Sequence, residues 1–215
     1  MKRIIITVFL IAIISGCATI PTSKISDNHY QNYQYGFALD MPGGEWKVSK
    51  TMPEWFREAI SEKPDLLLFN NAISGVLAII CNKSMIQIFP KDGDSIYKKE
   101  FRASMRDSHR KNMEAQIKKI EAANKNNPAV TSFTYEARNF YSSTEMAWLS
   151  KTETEDEMLK MGNVTKIYIY PLENDTVYVT IIIGYLRANQ EEALRTWDKL
   201  IESFKHGDEY SKVGE

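Results

Sequence analysis

Four basic side chains recur at every fourth position in the middle of the chain, and their spacing indicates a binding chemistry. They are Lys98, Arg102, Arg106 and Arg110. Residues four apart share one face of an α-helix, so these cations would form a stripe. Between positions 91 and 125, ten basic and six acidic residues give a local charge of +4. Such a stripe suits anionic lipid headgroups or an acidic partner. The alternative is a solvated face balanced by neighbours such as Asp107 and Glu114.

Three other groups of ionisable residues are weaker candidates for a site. The chain has three histidines, His29, His109 and His206. None of them has a second His or Cys at the spacing that metal ligands need. Asp92 and Asp94 begin like a calcium loop, but Ala103 stands where that loop needs its glutamate, so we interpret them as the start of a helix. A run of carboxylates falls between two predicted strands, where we expect a solvated hairpin tip rather than a metal site: Glu153, Glu155, Asp156 and Glu157.

Sequence motifs of the common enzyme classes are missing from the chain. It contains no Walker loop, dinucleotide glycine pattern, His-Glu-x-x-His, Cys-x-x-Cys or Gly-x-Ser-x-Gly. Carboxylate pairs for acid and base catalysis depend on separation in space, so the sequence cannot nominate them. We therefore predict no catalytic residue, no metal site and no cofactor, and we expect the protein not to be an enzyme.

The composition is that of one globular domain with little overall charge. Of the 215 residues, 43% are hydrophobic, 26% are charged and 11% are aromatic, so we expect a single domain with a substantial core. The net charge of −1 provides no field that would attract a nucleic acid. We expect no nucleic-acid partner.

The first seventeen residues have the order of a secretory leader. Two basic residues precede the apolar run 4–14, which is too short to span a membrane and ends in Ile14-Ser15-Gly16-Cys17. This tetrad resembles the lipobox of bacterial lipoproteins. The resemblance implies that 1–16 is a cleaved signal peptide and that Cys17 becomes the acylated first residue, anchored to a membrane. The alternative is an ordinary signal with an incidental cysteine.

The lipoprotein resemblance also bears on location and on the remaining thiol. Ala18 stands where lipoproteins of the inner membrane often carry Asp, which favours the outer membrane, facing the periplasm. With Cys17 acylated, Cys81 has no partner for an internal disulfide. Because Cys81 ends an apolar run, we interpret it as a small core residue.

The rest of the pattern predicts how the chain is divided. We expect a flexible tether over 17–32, where Pro, Thr, Ser, Asn and Asp dominate, then a single domain over 33–205 and a polar tail over 206–215.

Within the domain, alternating or continuous apolar runs predict strands, and apolar spacings of three and four predict helices. An opening hairpin is predicted over 35–48, and strands over 66–69, 75–81, 85–89, 131–140, 146–152, 164–170 and 176–186. Helices are predicted over 53–60, 95–123 and 189–204. Short connections make the last four strands an antiparallel meander. The long helix would pack through an apolar stripe of Tyr97, Phe101, Met105, Met113, Ile117 and Ile120.

This order of elements resembles the PsbP-like superfamily, named for an extrinsic subunit of photosystem II. The residues that carry the resemblance are Gly36-Phe37, Leu39, Pro42, Trp46 and Ile201-x-Ser203-Phe204. It would cover 33–204 and implies an α+β fold, an α/β/α sandwich with a central, largely antiparallel sheet flanked by helices. Members dock onto other proteins through different surfaces, so the resemblance transfers no binding residue.

The sequence therefore predicts an envelope lipoprotein that docks a protein partner without catalysis. One alternative is binding of anionic headgroups or a small ligand through the basic stripe. Another is an envelope hydrolase whose catalytic residues are dispersed along the chain.

Overall fold

The computed structural model describes residues 22–57, 60, 62–126, 130–136, 141–142, 144–154 and 160–212. The strands are β1 (Ser23–Ser26), β2 (His29–Asn32), β3 (Phe37–Asp40), β4 (Trp46–Val48), β5 (Leu66–Asn70), β6 (Gly75–Ser84), β7 (Val130–Glu136), β8 (Met146–Thr154), β9 (Met161–Leu172), β10 (Asp175–Leu186) and β11 (Lys205–His206). The α-helices are α1 (Glu54–Arg57), α2 (Ile96–Lys125) and α3 (Gln190–Ser203).

The strands form two sheets. Seven of them form a large sheet in the order β4-β5-β6-β10-β9-β8-β7, and the others form a small sheet in the order β1-β2-β3-β11. Every pairing between described strands is antiparallel.

The central strands β6 and β10 are buried on both faces. Alternate residues point to opposite sides of a strand, so Ile79 and Ile181 face α3 and the small sheet, while Ala78 and Ile182 face α1. The α1 side of the sheet also carries α2, which packs around Ile169 of β9. Helices therefore cover both faces, and the predicted α+β class with a largely antiparallel sheet is confirmed.

The expected tether is wrong from residue 23 onward. Residues 23–32 form β1 and β2, and β2 pairs with β3 along its length. The polar composition of this segment was misleading because most of its polar side chains stay exposed on the strands, while buried Asn32 finds hydrogen-bond partners inside the fold. The Nδ2 atom of Asn32 donates to the hydroxyl of buried Tyr30 at 3.0 Å, and its Oδ1 atom accepts from the backbone N–H of Tyr35 at 3.2 Å.

A predicted hairpin, a predicted strand and the predicted polar tail also differ from the structure. The segment 35–48 is not a hairpin, because β3 pairs with β2 and β11 whereas β4 pairs with β5 in the other sheet. The segment 85–89 is not a strand; Ile88 and Phe89 are buried beside α2, and the N–H of Ile88 donates to Thr176 Oγ1. The tail begins with β11, which completes the small sheet.

A tyrosine of β10 covers a glycine of β9. Gly162 and Tyr185 are register partners, and a Cβ at position 162 would lie 2.5 Å from Cε2 of the Tyr185 ring. The ring is completely buried, so it has no room to withdraw.

We expect Gly162→Ala to lower the free energy of unfolding by about 1–3 kcal/mol, the usual cost of overpacking a filled core. Urea unfolding monitored by circular dichroism measures the change. Gly43→Ala is the matched control, since the nearest atom to a Cβ there is 3.7 Å away. Equal stabilities of the two variants would contradict the packing argument.

Candidate functional site

The arginines of the predicted basic stripe face the body of the domain. Arg102 is largely enclosed, with 18% of its side chain exposed. Its Nη1 atom donates to the carbonyl of Phe89 at 3.0 Å, and its Nε atom lies 3.3 Å from Asp94 Oδ2. Arg102 therefore fastens the start of α2 to the loop that precedes it.

The next two arginines are engaged by aromatic rings and carboxylates of the same chain. Arg106 lies 5.8 Å from the centre of the Phe89 ring. Arg110 donates to Asp107 at 2.5 Å and to Glu114 at 2.9 Å, and it lies 5.6 Å from the centre of the Tyr141 ring. A small cavity of about 210 Å³ opens beside these residues.

The acidic neighbours of the stripe are held by the same interactions. Hydrogen bonds from Lys111 and Arg110 lower the pKa of Asp107. Lys98 is exposed. Binding of anions by Lys98, Arg102, Arg106 and Arg110 stays a prediction, and three of these four cations already have partners within the chain.

The apolar stripe predicted for α2 is wrong at both ends. Met105, Met113 and Ile117 pack against the sheet, but Tyr97, Phe101 and Ile120 are exposed. For Tyr97 and Phe101 the reason is rotational drift: a step of four residues advances about 400° around a helix, so each step rotates the stripe by about 40°. Tyr97 is therefore turned about 160° from Met113, and the arginines lie closer to the direction of Met113.

A histidine of α2 is half-buried against two aromatic residues of the sheet. His109 Nε2 lies 3.2 Å from the Tyr178 hydroxyl, and the two rings stack with centroids 5.6 Å apart. The Trp148 ring centroid is 6.3 Å from that of His109. Among the described residues, His109 Nδ1 and Trp148 Nε1 have no hydrogen-bond partner. Burial lowers the pKa of His109 because the imidazolium would lose its hydration.

Acidification below pH 6.5 is expected to reduce stability through His109. Its pKa is lowered from the ordinary value of 6.5 in the folded protein, so the unfolded chain binds more protons just below that value. The neutral histidine therefore contributes its full stability above pH 6.5, and this contribution is lost as the pH falls from 6.5 toward the folded pKa. Urea unfolding on either side of about pH 6.5 measures the loss.

A His109→Gln variant cannot titrate and is expected to lose less stability over the same interval. Glu145 affects the stability in a different, more acidic pH range. A hydrogen bond from His206 lowers its pKa from 4.5, so its contribution is present above pH 4.5 and is lost only as the pH falls through its folded value. An equal loss near pH 6 in the wild type and in His109→Gln would contradict the role of His109.

A larger groove lies between α3 and the β3–β4 connection. It encloses about 660 Å³ and is open to solvent on one side. Trp46 forms part of its wall, packed over Gly75, where a Cβ would lie 2.9 Å from the indole Cη2. The groove is lined by Asp40, Met41, Pro42, Gly43, Gly44, Glu45, Trp46, Asn70, Ala72, Glu192, Thr196, Lys199 and Leu200.

The groove has an apolar wall, and the charged residues of its lining are mainly acidic. Three carboxylates, those of Asp40, Glu45 and Glu192, face one ammonium, that of Lys199. Its floor is firm because the Oδ1 atom of buried Asn70 accepts backbone N–H groups of the β5–β6 turn, at 2.9 Å from Ala72 N. Sequence reasoning missed this site. Pro42 and Trp46 were noticed only as positions of the fold, and only the structure brings α3 beside them.

The structure also places the weaker candidates. Asp94 Oδ2 accepts from the N–H of Lys91 at 2.9 Å, and Ser95 caps α2, so this segment starts the helix as predicted. Cys81 is buried, and burial together with Asp65 raises its pKa, as expected for a core thiol. Of the predicted carboxylate cluster, residues 155–157 lie outside the described residues. Within the described part of the chain, no group of three or more His, Cys, Asp or Glu residues could hold a metal ion.

The predicted signal peptide over 1–16 and Cys17 also lie outside the described residues. No helix within the described ranges has the length and apolar character needed to cross a membrane.

Comparisons with known proteins find similarity only among solved structures. No protein-family profile matches the chain, and no curated protein is significantly similar to it. LpqN of Mycobacterium tuberculosis, described as involved in cell envelope biogenesis, is 12% identical, with 79% of this chain and 84% of that chain covered and a TM-score of 0.45.

Two further solved structures are similar to this chain. Cyanobacterial PsbP of Synechocystis is 11% identical, with coverage of 89% of this chain and 96% of that chain and a TM-score of 0.44. The Ran-binding protein Mog1p of Saccharomyces cerevisiae is 8% identical, with coverage of 88% and 100% and a TM-score of 0.39. Since these scores are below 0.5, the fold described above stands on the chain's own sheets and helices.

Proposed function

We propose that this chain is a lipid-anchored protein of the bacterial cell envelope that docks a partner protein without catalysing a reaction. The leader and its Ile14-Ser15-Gly16-Cys17 ending support the anchor. The groove beside α3 carries the docking proposal. The partner's binding segment is basic and carries an apolar side chain.

The groove has the size and the openness of a peptide site. Its volume of about 660 Å³ falls in the range of ordinary ligand sites, roughly 300–1,000 Å³. One open side lets a chain enter and leave along the surface, which an enclosed small-molecule site does not allow. The indole of Trp46 offers a flat apolar surface of the kind that dominates binding energy at protein interfaces.

The charge of the groove selects the class of partner. Glu45 and Glu192 are exposed, as is Lys199, so the lining carries an excess of negative charge together with Asp40. Like charges brought into such a site are disfavoured, while a Lys or Arg side chain of the partner would find a carboxylate. A basic segment therefore binds, and an acidic segment is rejected.

The hydrolase alternative also draws on the groove, because several carboxylates share one cavity. A carboxyl group that acts as a general acid near neutral pH needs burial or a like charge to raise its pKa. The side chain of Asp40 is instead 72% exposed and lies 2.9 Å from His29 Nδ1. This exposure favours docking over catalysis.

The anchor is tested by incorporation of labelled palmitate. We expect the label to enter the wild-type chain and to be absent from Cys17→Ala, because Cys81 is buried and its thiol is not available for acylation. The outer membrane, facing the periplasm, is the expected location, and membrane fractionation measures it. Label in Cys17→Ala, or unchanged membrane attachment of that variant, would overturn the lipid anchor.

Docking is tested by a photo-crosslinking amino acid placed at Thr196, which lines the groove. We expect a reproducible protein adduct in cells, and we expect Glu45→Lys combined with Glu192→Lys to reduce it strongly. The matched control is the same probe at Asp198, about 200° around α3 from Thr196 and exposed. Equal adducts at both positions, or no adduct at Thr196, would argue against the groove as the docking site.

A further inference from the structure

The first two turns of α2 display large apolar side chains to solvent. Tyr97 is 84% exposed, Ile96 is 72% exposed and Phe101 is 64% exposed. Met85 and Ile86, in the loop that follows β6, are also exposed. Soluble monomers seldom leave several large apolar residues uncovered on one part of the surface, so a partner surface is expected there.

These residues lie at one end of the large sheet, which we call the basal end: the β9–β10 turn, the loop 85–94 and the first two turns of α2. Ser84 at the end of β6 is the register partner of Thr176, next to the β9–β10 turn. The Thr176 hydroxyl donates to the carbonyl of Ile86 at 2.7 Å. The loop is then fastened to α2 through the hydrogen bond from Arg102 to the carbonyl of Phe89.

Thr22, the first residue that the structure describes, also lies at the basal end. The carbonyl of Thr22 accepts from the N–H of Tyr33 at 3.0 Å, in the β2–β3 turn. The ring of Tyr35 in that turn lies 6.0 Å from Lys83 Nζ. Lys83 Nζ in turn lies 3.8 Å from Asp175 Oδ2, beside the β9–β10 turn. Thr22 is therefore connected to the basal end through three successive contacts.

The distance from Cys17 to Thr22 is short whatever path the chain takes. Five Cα-to-Cα steps lead from Cys17 to Thr22, and five steps of fully extended chain span at most about 18 Å. Acyl chains on Cys17 would lie in the bilayer, so Thr22 and the surface around it cannot stand further than this from the membrane. This step rests on the proposed lipid anchor.

We infer that the basal end lies directly on the lipid bilayer, with Ile96, Tyr97 and Phe101 in the headgroup region. The exposed apolar residues then have a partner surface that the chain itself brings within reach. Aromatic rings and lysines are the side chains that favour the membrane interface, and Lys98 and Lys99 flank the rings.

The contact is driven by apolar side chains more than by charge. The segment 92–101 contains two lysines and three carboxylates, so it carries no excess of positive charge: Lys98 and Lys99 against Asp92, Asp94 and Glu100. The arginines that follow are engaged within the domain. Added salt therefore has little effect on the contact, since salt screens charges and does not weaken apolar burial.

The experiment uses the full lipidated chain in vesicles of phosphatidylethanolamine and phosphatidylglycerol. A single exposed cysteine, Glu100→Cys, carries an environment-sensitive fluorophore, since Cys81 is buried. We expect blue-shifted emission and quenching by nitroxide-labelled lipids, with little change on adding salt. The matched control is the same label at Glu191→Cys in α3, which begins beside the β5–β6 turn at the opposite end of the large sheet, because Asn189 Nδ2 donates to the carbonyl of Ile73.

Two further variants connect the signal to the apolar side chains. Tyr97→Glu combined with Phe101→Glu is expected to abolish the shift and the quenching while the chain still floats with the vesicles. Ile120→Glu changes another exposed apolar residue of α2, about 35 Å further along the helix, and is expected to leave both signals unchanged. Circular dichroism checks that each variant is folded.

The outcomes separate the anchor from the contact. A chain that does not float with the vesicles overturns the lipid anchor and this inference with it. A chain that floats without quenching at position 100 overturns the contact alone. A shift that appears without vesicles and grows with protein concentration shows that a second copy covers the basal end, which also overturns the inference.

Discussion

The burial of β6 and β10 on both faces is the constraint on which the rest of the structure depends. Neither strand has a polar side to offer to water, so each face needs a covering layer. Ile79 and Ile181 require α3 and the small sheet on one side, and Ala78 and Ile182 require α1 on the other. Both proposed surfaces are by-products of this covering. The groove forms where α3 meets the β3–β4 connection, and the exposed rings of Tyr97 and Phe101 lie on the side of α2 that is turned away from its packing contacts.

Sequence patterns predicted those strands and helices that are determined by the apolar residues within each element. The meander of β7 to β10, the long helix and the final helix follow from apolar runs and spacings, and they are confirmed. Sequence patterns failed to predict features that depend on how residues are placed in three dimensions. The polar residue Asn32 is buried because Tyr30 and the backbone of the next turn satisfy it. The face of α2 was misjudged because Tyr97 and Met113, linked by short steps, are turned far apart by the helix. The groove was invisible because it joins segments separated by about 150 positions.

The two proposed surfaces lie at opposite ends of the large sheet. The groove includes Asn70 and Ala72, at the β5–β6 turn, and Glu192, near the start of α3. The basal end holds the β9–β10 turn and Thr22. A domain resting on its basal end would therefore present the groove away from the bilayer, toward the aqueous space of the envelope. The charges agree with this division, since the charged residues of the groove are mainly acidic while the arginines of α2 are engaged within the domain.

The small sheet joins the two extremities of the described chain. Its first strands come from residues 23–40, and its last strand, β11, is formed by Lys205 and His206 paired with Ala38 and Phe37. During synthesis from the amino end, Phe37 and its neighbours must therefore remain without their final strand until Lys205 and His206 have been made. The small sheet is complete only when β11 is present. A chain cut short before Lys205 therefore leaves the edge of β3 unpaired and open to other chains.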